Sequence, residues 1–266
     1  MWEIYDALLA GMNESETVEE WLIGPRWSVV RGSSGSIGIA PVIVEKYDRF
    51  DVSYQPAAGM SLKDVAAHIR SWNFMEASLA MAAINAFYND PGKRTDAGDG
   101  DADTGQWRQL PGGRRSRRAF RSFCEENTSE GVTVLAEPVY DNDEIAEVPG
   151  RMDVLRKEPE FRDYYVSAYR ELIPETDRLV LSGRSFVEKN AEPMMERAVS
   201  CGKPVFLFGP DVPLCPALRQ YGVTAVWGFE VEKPEELMRS ARTGMQRDQF
   251  LRLGHFAVLE WPGRNG

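Results

Sequence analysis

The chain has 266 residues, 43% of them apolar, which is enough for one large α/β domain or two smaller ones around a substantial core. Its 31 basic residues against 41 acidic ones leave a net charge of −10, which works against attraction to nucleic acid or to an anionic membrane surface. Three scattered cysteines, Cys124, Cys201 and Cys215, and two histidines, His68 and His255, offer almost no material for a disulfide framework, a thiolate zinc site or a histidine-based relay.

The opening MWEIYDALLAGMNESE lacks a basic segment followed by an apolar one, and no apolar run is long enough to span a bilayer, so the expectation is a cytoplasmic protein. Residues 2–12 repeat Trp2, Tyr5, Leu8 and Leu9 at helical spacing, and residues 17–22 suggest a second short helix. WSVVR and SIGIAPVIVEKY then read as strands around a glycine-serine turn. RGSSGS lacks the lysine of a phosphate-binding loop, so a hairpin turn is expected there.

SLKDVAAHIRSW reads as a helix with Ser61 and Asp64 spaced as a capping box. It leads into SWNFMEASLAMAAINAFYN, a helix apolar on all sides, with alanines where another element must come close. Three polar residues interrupt this helix. Asn73 and Glu76 have the spacing of a reciprocal cap at its start and are also candidates for ligand contact. Asn85, on the opposite face from Glu76, either bonds to a neighbouring loop or meets a ligand.

Residues 91–130 lose apolar periodicity and turn from acidic to basic, as an exposed connection would. Asp99, Asp101 and Asp103 alternate like the start of a calcium loop, but Thr104 and Leu110 occupy its glycine and glutamate positions. Arg114, Arg115, Arg117, Arg118 and Arg121 are better suited to pairing with acidic residues or a neighbouring subunit than to nucleic acid.

From residue 131 short apolar runs alternate with helical segments. Strands are expected at 132–136, 152–155, 178–182, 204–208 and 223–227, with helices at 161–172 and 187–199 and a shorter one at 215–221. A polar helix at 234–252 and HFAVLEW, which reads as an edge strand, come last. This alternation implies a mostly parallel sheet, in which ligands bind beyond the carboxyl ends of the strands near a switch in strand order. The residues to watch are Glu137-Pro138, Ser182-Gly183-Arg184, Gly209-Pro210-Asp211 and Gly228. No GxGxxG follows the first of these strands, so a dinucleotide fingerprint is absent. Asp211 reads as the cap of a following helix, Arg184 as a clamp for a carboxylate or phosphate, or as surface. Lys189 and Lys203 are available to hold pyridoxal phosphate, without a supporting motif.

Ser71, Asn73, Glu76, Ala82, Asn85 and Ala86, taken with the later Ser182-Gly183 and the G-P-x-x-P-L at Gly209, resemble the two-part heavy-metal chelation proteins. The resemblance implies an α/β fold of two domains. An enolase N-terminal-like α+β domain would cover 1–90, a charged linker 91–130, and a Rossmann-like open, mostly parallel sheet with flanking helices 131–266. It further implies a binding protein for a divalent or heavy metal ion, or a metal–chelate complex, in a cleft between the domains. Asn73, Glu76, Ser182, Gly183, Arg184, Gly209, Pro210 and Asp211 would line that cleft, with Glu76, Glu137 and Asp211 as metal ligands. Two other readings stay open: a cytosolic enzyme acting on a small anionic metabolite at the strand ends, and an interaction protein, homo-oligomeric through the linker, without a working cleft.

Overall fold

A computed structural model describes residues 2–44, 58–94, 105–110 and 117–261. Helix α1 (Glu3–Ala10) precedes a three-stranded antiparallel sheet of β1 (Val18–Ile23), β2 (Trp27–Gly32) and β3 (Ile37–Pro41), in that order. The helix expected at 17–22 is therefore corrected to strand β1. Trp21 and Leu22 pair with Val30 and Val29, and this tertiary pairing outweighs a weak local helical pattern. RGSSGS is the expected hairpin turn, with Gly35 at φ 85°. The buried Glu16 carboxylate accepts from Ser34 and Ser36 and pairs with Lys93, so the turn's polar groups are tied to structure.

Ser61 caps α2 (Leu62–Ala66) by accepting from the Lys63 N–H, and a 3-10 turn carries the chain to Arg70. Helix α3 (Phe74–Tyr88) lies on the small sheet and is buried from Ala77 to Phe87. Its alanines serve strand β3: a Cβ at Gly38 would overlap the Ala82 carbonyl oxygen and the Ala86 nitrogen. Strand and helix backbones are thus in direct contact.

The larger sheet has eight strands in the order β4-β11-β10-β9-β8-β5-β6-β7. In chain order its elements begin with β4 (Gln106–Gln109), α4 (Arg117–Asn127), β5 (Val132–Ala136), α5 (Asn142–Ala146), β6 (Arg151–Arg156) and β7 (Tyr164–Tyr165). Then come α6 (Tyr169–Glu175), β8 (Arg178–Leu181), α7 (Arg184–Val187), α8 (Ala191–Ser200) and β9 (Val205–Phe208). The last are β10 (Val223–Val231), α9 (Pro234–Ala241), α10 (Arg247–Phe250) and β11 (Gly254–Glu260). Strands β5 to β10 run parallel, and β11 lies antiparallel to both β10 and β4, so that β4 runs with the parallel set. The chain moves outward from β5 through β6 to β7, then returns to β8 and proceeds the other way. The switch in strand order lies between β5 and β8.

Five expectations change here. The 91–130 stretch supplies β4 and α4, which cover the large sheet. Its arginines conceal an amphipathic helix whose Phe120, Phe123 and Cys124 are buried, Phe123 against Phe206, Phe208 and Trp227. Asp99, Asp101, Asp103, Arg114 and Arg115 lie outside the described residues. The helix expected at 161–172 becomes β7, a 3-10 turn and α6, while 215–221 is 3-10 rather than α. The polar helix at 234–252 is divided into α9 and α10 by a turn containing Gly244 at φ 77°. HFAVLEW, expected at an edge, is instead an inner strand, between β10 and β4, because β4 covers its outer side. Among the described residues no helix is long and apolar enough to cross a membrane.

Replacing Gly38 by alanine is expected to destabilise the protein by about 1–3 kcal/mol, since neither backbone can yield easily; a fall in the urea midpoint measures it. His255 lies 3.1 Å from buried Glu230 and 2.9 Å from Glu232. Its hydrogen bond to Glu230 raises its pKa against the opposing effect of burial. Its stabilising contribution is complete below the unfolded value of 6.5 and is lost as pH rises through the raised folded value. The Tm deficit of a His255→Gln variant should accordingly narrow as pH increases.

Candidate functional site

The carboxyl ends of β5, β8 and β9 meet beneath α3, and four segments supply the polar groups there. After β5 the chain turns at Glu137, a non-glycine residue at φ 49°. The Glu137 carboxylate is buried, accepts from the Lys157 N–H at 2.5 Å and lies 3.3 Å from Arg184. After β8, Ser182 donates its hydroxyl to the Glu137 carbonyl. Gly183 is needed because a Cβ there would overlap the Asp211 carbonyl oxygen. Helix α7 follows, and its Arg184 also pairs with buried Glu188 at 3.0 Å. The guanidinium therefore bridges two carboxylates and leaves 35% of its side chain exposed.

Helix α7 ends in a Schellman-type cap in which the Asn190 N–H reaches the Ser185 carbonyl and Lys189 takes the left-handed position at φ 65°. Glycine usually fills that position, and an L-residue costs about 1–2 kcal/mol more. Lys189 is buried, donates to the Val187 carbonyl at 2.8 Å, and lies 5.9 Å from the Tyr5 ring centre and 5.7 Å from that of Phe74. Lys157 approaches the same Phe74 ring at 5.0 Å. Strain of this kind persists where surrounding structure enforces it, and is concentrated at functional sites.

Asp211 follows β9 and is fully buried. It does not cap a helix of its own: residues 212–215 are irregular and a 3-10 turn begins only at Pro216. Its carboxylate faces the N–H groups of Gly183 and Arg184, outside strict hydrogen-bond geometry. A Cβ at Gly209 would press on the Asp211 carboxylate, so Gly209 and Pro210 shape the loop around it. Burial raises Asp211 to about 6, despite those N–H groups. Burial, reinforced by the Glu188 charge, raises Glu137 to about 7, while Arg184 opposes the shift. Burial lowers Lys189 to about 7.

The structure brings Glu137, Ser182, Gly183, Arg184, Gly209, Pro210 and Asp211 to one place. Asn73 and Glu76 stand at the first turn of α3, next to Phe74. They are not a reciprocal cap: Asn73 accepts from the Met75 N–H, whereas Glu76 accepts from the Ser71 hydroxyl and the Asn73 amide. Asn85 holds the fold, donating to the carbonyls of Ile39 and Asp211. Among the described residues no group of three or more His, Cys, Asp or Glu side chains is arranged to hold a metal ion. Sequence reading singled out neither Glu188 nor Lys157 and had no motif for Lys189. Only the fold, by terminating α7 at residue 187, turns Lys189 inward. Beyond the same β5 loop lies a groove of about 930 Å³ between Pro25–Trp27 and Gln246–Gln249, lined also by Val42, Val139 and Asp141.

Buried polar atoms without partners gather at these strand ends: Asp211 Oδ1 and Oδ2, Glu188 Oε2, Ser185 Oγ and Asn85 Oδ1. The charges are three carboxylates, Glu137, Glu188 and Asp211, around Arg184, with Lys189 alongside. Such a mixture accepts a polar ligand that is neutral or cationic more readily than an anion.

Two family models, both described as "Putative heavy-metal chelation", match residues 5–88 (DUF4213) and 143–260 (DUF364). A DUF364 protein of unknown function from Desulfitobacterium hafniense is 26% identical, with a TM-score of 0.78 over 98% of each chain. One from Pyrococcus horikoshii, 18% identical, has a TM-score of 0.70 over 96% of each and shares the fold. No curated protein matches the chain.

Replacing Glu137 by glutamine should change how stability depends on pH. Because the folded pKa is raised, wild-type protein loses stability as pH climbs from the ordinary value of 4.5 toward about 7. The variant should lack this component, so Tm curves of the two proteins should diverge across that window, with the variant falling less.

Proposed function

The chain belongs to the heavy-metal chelation family, and from that premise we propose that it binds its metal as a preformed chelate, at the carboxyl ends of β5, β8 and β9 beneath the first turn of α3. The observation that carries this reading is the pairing of a strained, mixed-charge cluster at the strand switch with the lack of any three-residue ligand group among the described residues. A bare ion would need several side-chain donors at once. A chelate arrives with its coordination largely filled and asks the protein only for hydrogen bonds, charge balance and shape. Metal here is cargo. Arg184, neutralised on one side by Glu137 and Glu188, presents its exposed face to an acceptor group, while the net carboxylate excess favours a complex without strong negative charge.

The reading that the protein acts on a small anionic metabolite rests on the parallel sheet with its glycine turns and on Arg184, and the two carboxylates weaken the second of these supports. Calorimetry with divalent metals alone and with the same metals held by small neutral chelators tests the proposal. We expect binding of at least one complex and little binding of the bare ions. Glu76→Ala should weaken the complex with almost no loss of stability, and Arg184→Lys should weaken it at least tenfold because lysine has no fork to span two groups. Tight binding of bare ions, or of no complex, would overturn the reading. Loss of binding in Arg26→Ala but not in Arg184→Lys would move the chelate to the neighbouring groove.

A further inference from the structure

The backbone after α7 requires the left-handed conformation that glycine usually supplies, yet Lys189 occupies it. What distinguishes this lysine is where its amine is placed. Its Nζ is buried between the Tyr5 and Phe74 rings and donates a hydrogen bond to the Val187 carbonyl, with no ion-pair partner among the described residues. Helix α1 is tied to this turn by the Tyr5 hydroxyl, which donates to the Phe186 carbonyl, and the Lys157 side chain lies over the same Phe74 ring. An amine buried among rings and without an ion-pair partner has the desolvated environment of nucleophilic lysines.

We propose that Lys189 is a covalent attachment point for a small uncharged aldehyde or ketone at the strand-switch site, the carbonyl-bearing part of its ligand. The inference rests on the site assigned above. The Nζ lone pair attacks the carbonyl carbon and a C–N bond forms. The carbonyl oxygen then departs as water with the two hydrogens of the amine, leaving a C=N bond. The step requires no oxidant or reductant. The neighbouring Glu188 charge and the excess of carboxylates disfavour an anionic partner such as an oxo acid.

The test uses 2,4-pentanedione, which condenses with a neutral amine to an enaminone that absorbs in the near ultraviolet. After brief exposure of the intact protein near neutral pH, peptide mapping should find Lys189 modified at least about tenfold faster than any of the other six lysines, as expected for an amine kept uncharged by its surroundings. The absorbance should be missing in Lys189→Met and Lys189→Arg. If Lys189 reacts no faster than the surface lysines, the proposal is overturned, and the wild-type map decides this even where a variant fails to fold. Calorimetry with chelates on the same samples reads the binding site separately. Complex binding without modification of Lys189 would remove the covalent step and leave the site. Modification of Lys189 without complex binding would keep the covalent step and remove the chelate.

Discussion

Two amides at the end of one helix hold this structure together. From α3, the Asn85 Nδ2 donates to the Ile39 carbonyl of the small sheet at 2.8 Å and to the Asp211 carbonyl of the large one at 2.9 Å. One turn on, Asn89 donates to the carbonyls of Val212 and Phe229 and accepts from the Leu214 N–H. Both side chains are buried, so every group they satisfy would otherwise stand unpaired at a cost of about 1–3 kcal/mol each. The segment 211–214 has no regular structure of its own, and these amides take the place of its ladder. The position of Asp211, and hence the loop facing Gly183, follows from the clip.

The same arrangement explains why α3 is rich in small residues. A helix in backbone contact with β3 on one side and linked to the β9 loop by amide side chains on another has space for alanine and for an amide that reaches across, and little for anything longer. The helix therefore shows almost no amphipathicity, as expected when both faces are covered. The charged groups at the strand ends lie beneath this buried helix. Their shifted pKa values have burial as the leading cause, and the local backbone strain at Glu137 and Lys189 is maintained by the packing around them.

Much of this was legible in the residues. The five runs expected as strands of the second half coincide with β5, β6, β8, β9 and β10, because short β-branched runs between helices have few other uses. Glu137, Ser182, Gly183, Arg184 and Asp211 could be anticipated because ligands in parallel sheets collect at carboxyl ends. What could not be read was partnership. Arg184 looks like a free cation until Glu137 and Glu188 are placed on either side, forty-seven and four positions away in sequence. Asp211 has the local spelling of a helix cap and serves the loop of another strand. Helix α4 was hidden by its arginines, since composition averaged over a stretch conceals a single apolar face.

The position of β11 bears on how the chain is made. Strand β4 emerges early, yet its strand partner is β11, which also pairs with β10 and is made only after it. During synthesis the parallel strands β5 to β9 can assemble in turn, while β4 waits with an open backbone edge. A nascent chain halted before residue 254 would hold most of its sheet and still lack the strand that closes it. In this protein the last strand made is the one that admits one of the first.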